Sequence, residues 1–141
     1  MAEFTNIAVQ NVAPNANVVF TETPFGCNKH CVNHREGSGI FTLRNANGQC
    51  RTVYKGSFGA NIAIPTGGTV EAISIALAIE GEALGASTAI VTPAAVENYF
   101  NVFIEAYIPV DCRSCVTVTV KNISTQESSV QNANLTIEND D

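Results

Sequence analysis

Residues 68–82, GTVEAISIALAIEGE, constrain the fold of this chain more than any other stretch. The large apolar residues are Val70, Ile73, Ile75, Leu77 and Ile79. From Ile73 onwards they recur at every second position, which is typical of a β-strand with one face in a core. The positions between them are small: Ala72, Ser74, Ala76 and Ala78. The sequence therefore predicts a strand whose second face is also closely covered.

The overall composition points to the same kind of packing. Hydrophobic residues make up 45% of the 141 residues and charged residues only 14%, against a usual charged share of about 25%. A surface with few charges and a strand face of small residues favour burial of that face between subunits. We therefore predict a subunit interface at Ala72, Ser74, Ala76 and Ala78, which Ala76→Arg should disrupt while the fold survives. The alternative is a compact β-protein with a Thr-, Asn- and Ser-rich surface.

Charge and hydropathy exclude several classes of partner. The net charge is −6 and the seven Lys and Arg residues are scattered, whereas nucleic acids and anionic membranes require clustered basic residues. No apolar run approaches the 18 residues of a membrane span. The first 20 residues lack the basic and apolar regions of a secretory signal. We expect neither nucleic-acid binding nor membrane insertion.

Strand signals recur at short intervals along the chain, and helix signals are sparse. The predicted strands lie near residues 5–11, 17–22, 39–44, 51–64, 69–80, 87–91, 99–110, 115–122 and 129–138. Residues 65–68 and the Asn47-Gly48 step predict turns, and residues 92–97 predict a turn or a single helical turn. We predict one all-β domain over residues 1–141, a two-sheet jelly roll with residues 1–20 as an N-terminal strand or arm.

Catalytic signatures are missing from the sequence. It contains no nucleophile elbow, P-loop or dinucleotide-binding glycine motif. Glu80 and Glu82 could form a carboxylate pair, but a solvated loop edge is the commoner role. Tyr99, Phe103 and Tyr107 share one alternating face, where a second core or an interface is commoner than a sugar site. We predict a protein that is not an enzyme and needs no cofactor.

Cysteine and histidine residues cluster in two places. GCNKHCVNH holds Cys27, His30, Cys31 and His34, while Cys50, Cys112 and Cys115 follow later. Zinc could be held by Cys27, Cys31, His34 and His30, although the spacing is unusual. Alternatively Cys27 pairs with Cys50 and Cys112 with Cys115, as disulfides formed late in an oxidising exterior. The third alternative is buried reduced thiols; disulfides are slightly favoured over these.

Several motifs, in order, resemble a family of small proteins from spore-forming gut bacteria and their phages. They are SFGANIAIPTGGTVEAISIALAIEGE, STAIVTPAAVENYFNV, VTVTVKNIST and VQNANLTIE, and the resemblance covers the chain from about residue 20. These proteins in turn resemble the C1q/TNF-like trimeric heads of collagen-like filaments on spore surfaces.

The resemblance implies a ten-strand-class jelly roll that closes as a homotrimer, with small or apolar residues between subunits. It also favours the Cys27–Cys50 pair, because cysteines near these positions recur together in the family. The 141 residues contain no Gly-X-Y repeat, and we expect a domain without a collagen stalk. We therefore expect a structural protein that decorates a phage capsid or forms part of a head fibre, bound to capsid protein on the virion. The alternative is a binding or adhesion module on a bacterial or spore surface.

Overall fold

The computed structural model describes residues 1–26, 32–45, 51–112 and 114–139. In that part of the chain the regular structure consists of antiparallel β-strands in two sheets. The strands of the first sheet are β1 (Ala2–Asn6), β2 (Gln10–Val12), β3 (Glu22–Phe25), β6 (Arg51–Ala63), β9 (Phe100–Asp111) and β11 (Ser128–Asn139). Those of the second are β4 (Val32–His34), β5 (Phe41–Arg44), β7 (Ile73–Ile79), β8 (Glu82–Val91) and β10 (Cys115–Asn122).

The order of strands places β9 at one edge of the first sheet. That sheet runs β3-β1-β11-β6-β9, with β2 also paired to β11, and the second runs β4-β5-β10-β7-β8. The predicted all-β sandwich is confirmed. No helix in the described part of the chain has the length and apolar character needed to cross a bilayer.

The two sheets enclose one contiguous apolar core. Period-two alternation sends every second side chain inward, as the buried pattern of β6 shows. The largest fully buried side chains of the core are Tyr54, Phe20, Phe41, Phe58, Leu43, Ile62, Ile64, Ile73, Ile75, Leu77, Ile108 and Leu135. The core face predicted for the strand from Ile73 is confirmed, since Ile73, Ile75 and Leu77 are fully buried.

Two tight turns follow from their backbone angles. Glu80 and Gly81 both have positive φ, 53° and 83°, and they join β7 to β8 because Ile79 pairs with Glu82. This is the geometry of a two-residue primed turn, which matches the twist of the strands. In the predicted turn at residues 65–68, the Gly68 N–H donates to the Pro65 carbonyl at 2.9 Å, and Gly67 has φ 91°. Residues 92–97 form turns and bends.

Three predicted strands need correction. Residues 17–21 make only isolated bridges, and Glu22 belongs to β3. The reason is that this segment crosses between sheets: the Val18 N–H donates to the Val120 carbonyl and the Thr21 N–H donates to the Thr5 carbonyl. The strand predicted over residues 5–11 is interrupted at residues 7–9. The strand predicted from residue 69 begins at Ile73, since the Thr69 backbone is bonded to the Gln126 side chain instead.

β1 and β11, the first and last of these strands, are neighbours in the first sheet. β11 pairs with β1, where Ala2 lies opposite Ile137 and Asn6 lies opposite Ala133. It also pairs with β2, where Gln10 lies opposite Val130. Its other side pairs with β6, with a register shift between Gln131 and Asn134. β11 therefore lies in the interior of the first sheet.

Candidate functional site

His34, a predicted zinc ligand, is a half-buried ring at the edge of the core. Its ring stacks on Phe41 with centroids 4.3 Å apart and 11° between planes, and meets Phe4 edge-on at 5.0 Å. Nε2 lies 2.7 Å from the Ser38 carbonyl oxygen. A carbonyl can only accept, so Nε2 carries the proton. Cys27, His30, Cys31 and Cys50 lie outside the described residues, and the zinc set and the Cys27–Cys50 pair stay predictions.

Cys112 and Cys115 flank the connection from β9 to β10. Both side chains are exposed, and the Ser114 N–H donates to the Asp111 carbonyl at 3.1 Å across the turn. Redox-active Cys-x-x-Cys motifs lower a thiol pKa at a helix N-terminus, whereas these residues lie between two strands. Pairing of Cys112 with Cys115 stays a prediction.

The predicted interface residues differ widely in exposure. Ala72 is exposed and precedes β7, Ser74 is half-buried, and Ala76 and Ala78 are fully buried within one chain. Lys121 pairs across the sheet with Ala76, and its Nζ donates to the Gly81 carbonyl at 2.8 Å. Close covering of Ala76 and Ala78 is therefore already present in a single chain. A contact between subunits at this face stays a prediction.

Glu80 has a local structural role. Its Oε1 accepts the Thr117 N–H at 2.8 Å, while its own N–H donates to the Thr117 carbonyl at 2.9 Å. These bonds hold the β7–β8 turn against β10. The carboxylate is therefore engaged by backbone, which differs from the arrangement of a catalytic acid–base pair.

The most distinctive surface lies on the outward face of β9. Phe103 and Tyr107 are 63% and 58% exposed, and four residues apart on one strand they share a face. We call these two rings the β9 aromatic surface. Tyr99, the third member of the predicted stripe, is half-buried and precedes the strand. At about 3.3 Å per residue the two rings are roughly 13 Å apart along the strand.

An ion pair lies between the two rings. Glu105 occupies the middle position on the same face, and its Oε2 is 3.4 Å from Lys55 Nζ. The Ser57 hydroxyl donates to the same oxygen at 3.2 Å. Glu105 raises the pKa of Lys55. Its negative charge is the larger cause and its hydrogen bond to Lys55 is the second. The surface thus offers a cation, a carboxylate and a hydroxyl between two aromatic rings.

Gly59 leaves the Phe103 ring uncovered. Gly59 is the cross-strand partner of Phe103, and a Cβ placed on it would lie 3.8 Å from Phe103 Cδ2. Any longer side chain at this position would therefore contact the ring. At the end of the row, Asn101 Nδ2 donates to Asn61 Oδ1 at 3.1 Å. β9 consequently presents Asn101, Phe103, Glu105 and Tyr107 as alternating polar and aromatic groups.

Among the residues that the structure describes, no group of three or more His, Cys, Asp or Glu side chains is placed to hold a metal ion. Alternation along residues 99–107 predicts the aromatic face, but the contributions of Lys55, Ser57 and Gly59 depend on the β6–β9 register. The sequence shows no signal that fixes that register.

Comparison with known proteins identifies the fold. No protein-family model matches the chain, and no curated protein sequence matches it significantly. Among solved structures, the globular domain of zebrafish complement 1qA superposes with a TM-score of 0.52 at 11% identity, covering 94% of this chain and 93% of that one. The fold is a C1q-like jelly roll. The EclA C-terminal domain, a sugar-binding protein, matches with a TM-score of 0.42 at 14% identity, covering 94% and 80%.

Proposed function

We propose that this C1q-like jelly roll is a non-enzymatic binding module that attaches to a surface through the β9 aromatic surface. The supporting observation is the exposure of Phe103 and Tyr107, 63% and 58%, on either side of the Lys55–Glu105 pair. Large exposed aromatic groups on a folded domain are characteristic of binding sites. A flat sheet face suits an extended ligand better than a small enclosed one.

Binding of fluorescently labelled protein to intact bacterial cells and to mucin-coated beads, measured by flow cytometry, tests this function. The double variant Phe103→Ala/Tyr107→Ala should lose binding. Phe25→Ala is the matched control, because Phe25 is 58% exposed on the opposite edge strand of the same sheet. Equal binding by all three proteins, or no binding by the unmodified protein to either target, contradicts the proposal.

A second proposed function is structural: a homotrimer that decorates a phage capsid or forms part of a head fibre. It is favoured by Ile90, which is 67% exposed and pairs directly with Ser74 of the predicted interface. An exposed isoleucine beside a small-residue strand suits contact with another subunit. Ile90 and Ser74 are on the second sheet, whereas the β9 aromatic surface is on the first. Attachment to a bacterial or spore surface is the alternative location.

Light scattering coupled to size-exclusion chromatography tests the trimer, because one chain has a mass of 14.9 kDa. A mass three times that value is expected, and a monomer contradicts this second function. Mass spectrometry of purified virions tests the location. A decoration protein must be present there at high copy number.

A further inference from the structure

We propose that the β9 aromatic surface binds a neutral, extended polysaccharide, whose sugar rings stack on Phe103 and Tyr107. This inference rests on the binding function proposed above and names its ligand. Sugar rings have apolar faces of C–H groups and polar edges of hydroxyl groups. An aromatic ring presents a flat apolar face of matching size, with a negative centre that attracts C–H groups.

The spacing of the rings favours a polymer. Phe103 and Tyr107 are roughly 13 Å apart along β9, which is too far for one sugar ring to contact both. An extended chain of several sugars can stack at both positions with a unit between them. Among the strands of the described residues, β9 pairs with β6 and lies at the edge of its sheet, so the ligand can project beyond the sheet.

The groups between the rings match hydroxyl chemistry. Lys55 and Ser57 are donors, and Glu105 is an acceptor that keeps 40% of its side chain exposed. Sugar hydroxyls both donate and accept, so they can bond to each member of this set. An apolar protein groove would leave the ion pair buried without compensation, at a cost in binding free energy.

The charge of the protein favours a neutral ligand. The net charge is −6, and Lys55 is already paired with Glu105 on this surface. An acidic polysaccharide would be repelled by the overall charge and would compete with Glu105 for Lys55. The ligand class is therefore an uncharged glycan.

Affinity electrophoresis and calorimetry with soluble polysaccharides test the ligand class. Suitable probes are mixed-linkage β-glucan, xylan, galactomannan and α-glucan, with polygalacturonate as the acidic comparison. Each of Phe103→Ala and Tyr107→Ala should weaken binding by about tenfold or more, corresponding to about 1.4 kcal/mol of lost stacking. Gly59→Leu should weaken it similarly while keeping both rings, because the new side chain covers Phe103. Phe25→Ala should bind as the unmodified protein does.

Three results would overturn the inference. The first is that none of the neutral polysaccharides binds, and the second is that binding is unchanged in Phe103→Ala, Tyr107→Ala and Gly59→Leu. The third is an oligomer that Phe103→Ala dissociates without any affinity for glycan, which would assign the surface to contact between copies of this chain. If cells are bound through these rings but no polysaccharide is, the ligand class fails and the binding function stands.

Discussion

The Ser87 hydroxyl donates a 2.7 Å hydrogen bond to the Glu105 carbonyl oxygen, and so joins the edge strand of one sheet to the edge strand of the other. Ser87 is only 6% exposed, and β8 and β9 lie next to each other along this side. The bond satisfies a carbonyl that faces away from β6. Four positions further along β9, Pro109 has no N–H to offer to another strand. The β9 edge is thereby protected against pairing with other chains.

Ser87→Ala should lower the free energy of unfolding by about 1 kcal/mol, because the Glu105 carbonyl then lacks its partner. Urea denaturation measures the change. Ser57→Ala is the matched control, since Ser57 donates to the exposed carboxylate of the same residue and should cost under about 0.5 kcal/mol. Equal losses of unfolding free energy in the two variants would show that the buried bond contributes no more to stability than the exposed one.

Asn122 should be among the most sensitive polar positions. It is fully buried; Nδ2 donates to the carbonyls of Val12 at 2.8 Å and Gln126 at 3.0 Å, and Oδ1 accepts the Ser124 N–H at 2.9 Å. Asn122→Ala removes all three bonds and should cost about 3 kcal/mol. Thermal denaturation by circular dichroism provides the measurement. A loss under about 1 kcal/mol would contradict this account.

Asn122→Asp provides a pH-dependent version of the same test. The new carboxyl group would face two carbonyl oxygens in a buried site, which disfavours its charged form and raises its pKa in the folded state. The folded variant then binds more protons than the unfolded chain, so its stability should fall as pH rises above about 3.9, the ordinary aspartate value. The variant's unfolding midpoint should therefore lie further below that of the unmodified protein at pH 7 than at pH 4. A constant difference contradicts the prediction.

Phe103→Ala and Tyr107→Ala should change binding without changing stability. Both side chains are more than half exposed, and exposed positions usually contribute within about 0.5 kcal/mol. Phe58→Ala, at a fully buried position of the facing strand β6, should instead cost about 3–5 kcal/mol. Chemical denaturation of the three variants makes the comparison. Large destabilisation by Phe103→Ala would indicate a structural role for its ring.

The Lys55–Glu105 pair should contribute stability only below strongly alkaline pH. Glu105 raises the pKa of Lys55, so the folded state holds this proton more tightly than the unfolded chain. The contribution is complete below the ordinary lysine pKa of about 10.4 and is lost as pH rises through the higher folded value. The difference in urea midpoint between the unmodified protein and Lys55→Met should therefore shrink between pH 9 and pH 12. A difference that persists at pH 12 contradicts this explanation.

Ala72→Arg is a cleaner test of the predicted interface than Ala76→Arg. Ala76 is fully buried within one chain, so an arginine there should cost about 1–3 kcal/mol by overpacking alone. Ala72 is exposed on the same segment, and its substitution should leave the melting temperature unchanged. If subunits meet at this strand, Ala72→Arg lowers the mass measured by light scattering. An unchanged mass for an oligomeric protein would show that this strand is not part of the interface.

Alternation made the core strands predictable, because side chains an even number of positions apart on one strand, such as Tyr54 and Phe58, share a face whatever strands lie beside them. The short strands β3 and β4 were missed. All four residues of β3 are exposed, so no apolar period marks it, and β4 spans three residues of a stretch whose cysteines and histidines suggest metal binding. A hydrophobic pattern in the sequence indicates which residues are buried. It therefore cannot identify strands such as β3 and β4, which have no buried residues.

The candidate site was only partly predictable for a related reason. Tyr99, Phe103 and Tyr107 were visible as a stripe, but the sequence places Tyr99 inside a strand that in fact begins at Phe100. The neighbours that give the surface its polarity come from β6, about 50 residues earlier in the chain. Their alignment depends on long-range pairing, for which one sequence holds no local signal.

The position of β11 has a consequence for how the chain acquires its fold. Because β11 lies between β1 and β6, the first sheet lacks an interior strand until residues 128–139 have emerged from the ribosome. Until then β1 and β6 have exposed, unpaired edges that can associate with other nascent chains. Long-range closure of this kind also slows folding. Deletions within residues 128–139 should therefore impair production far more than their distance from the β9 aromatic surface would imply.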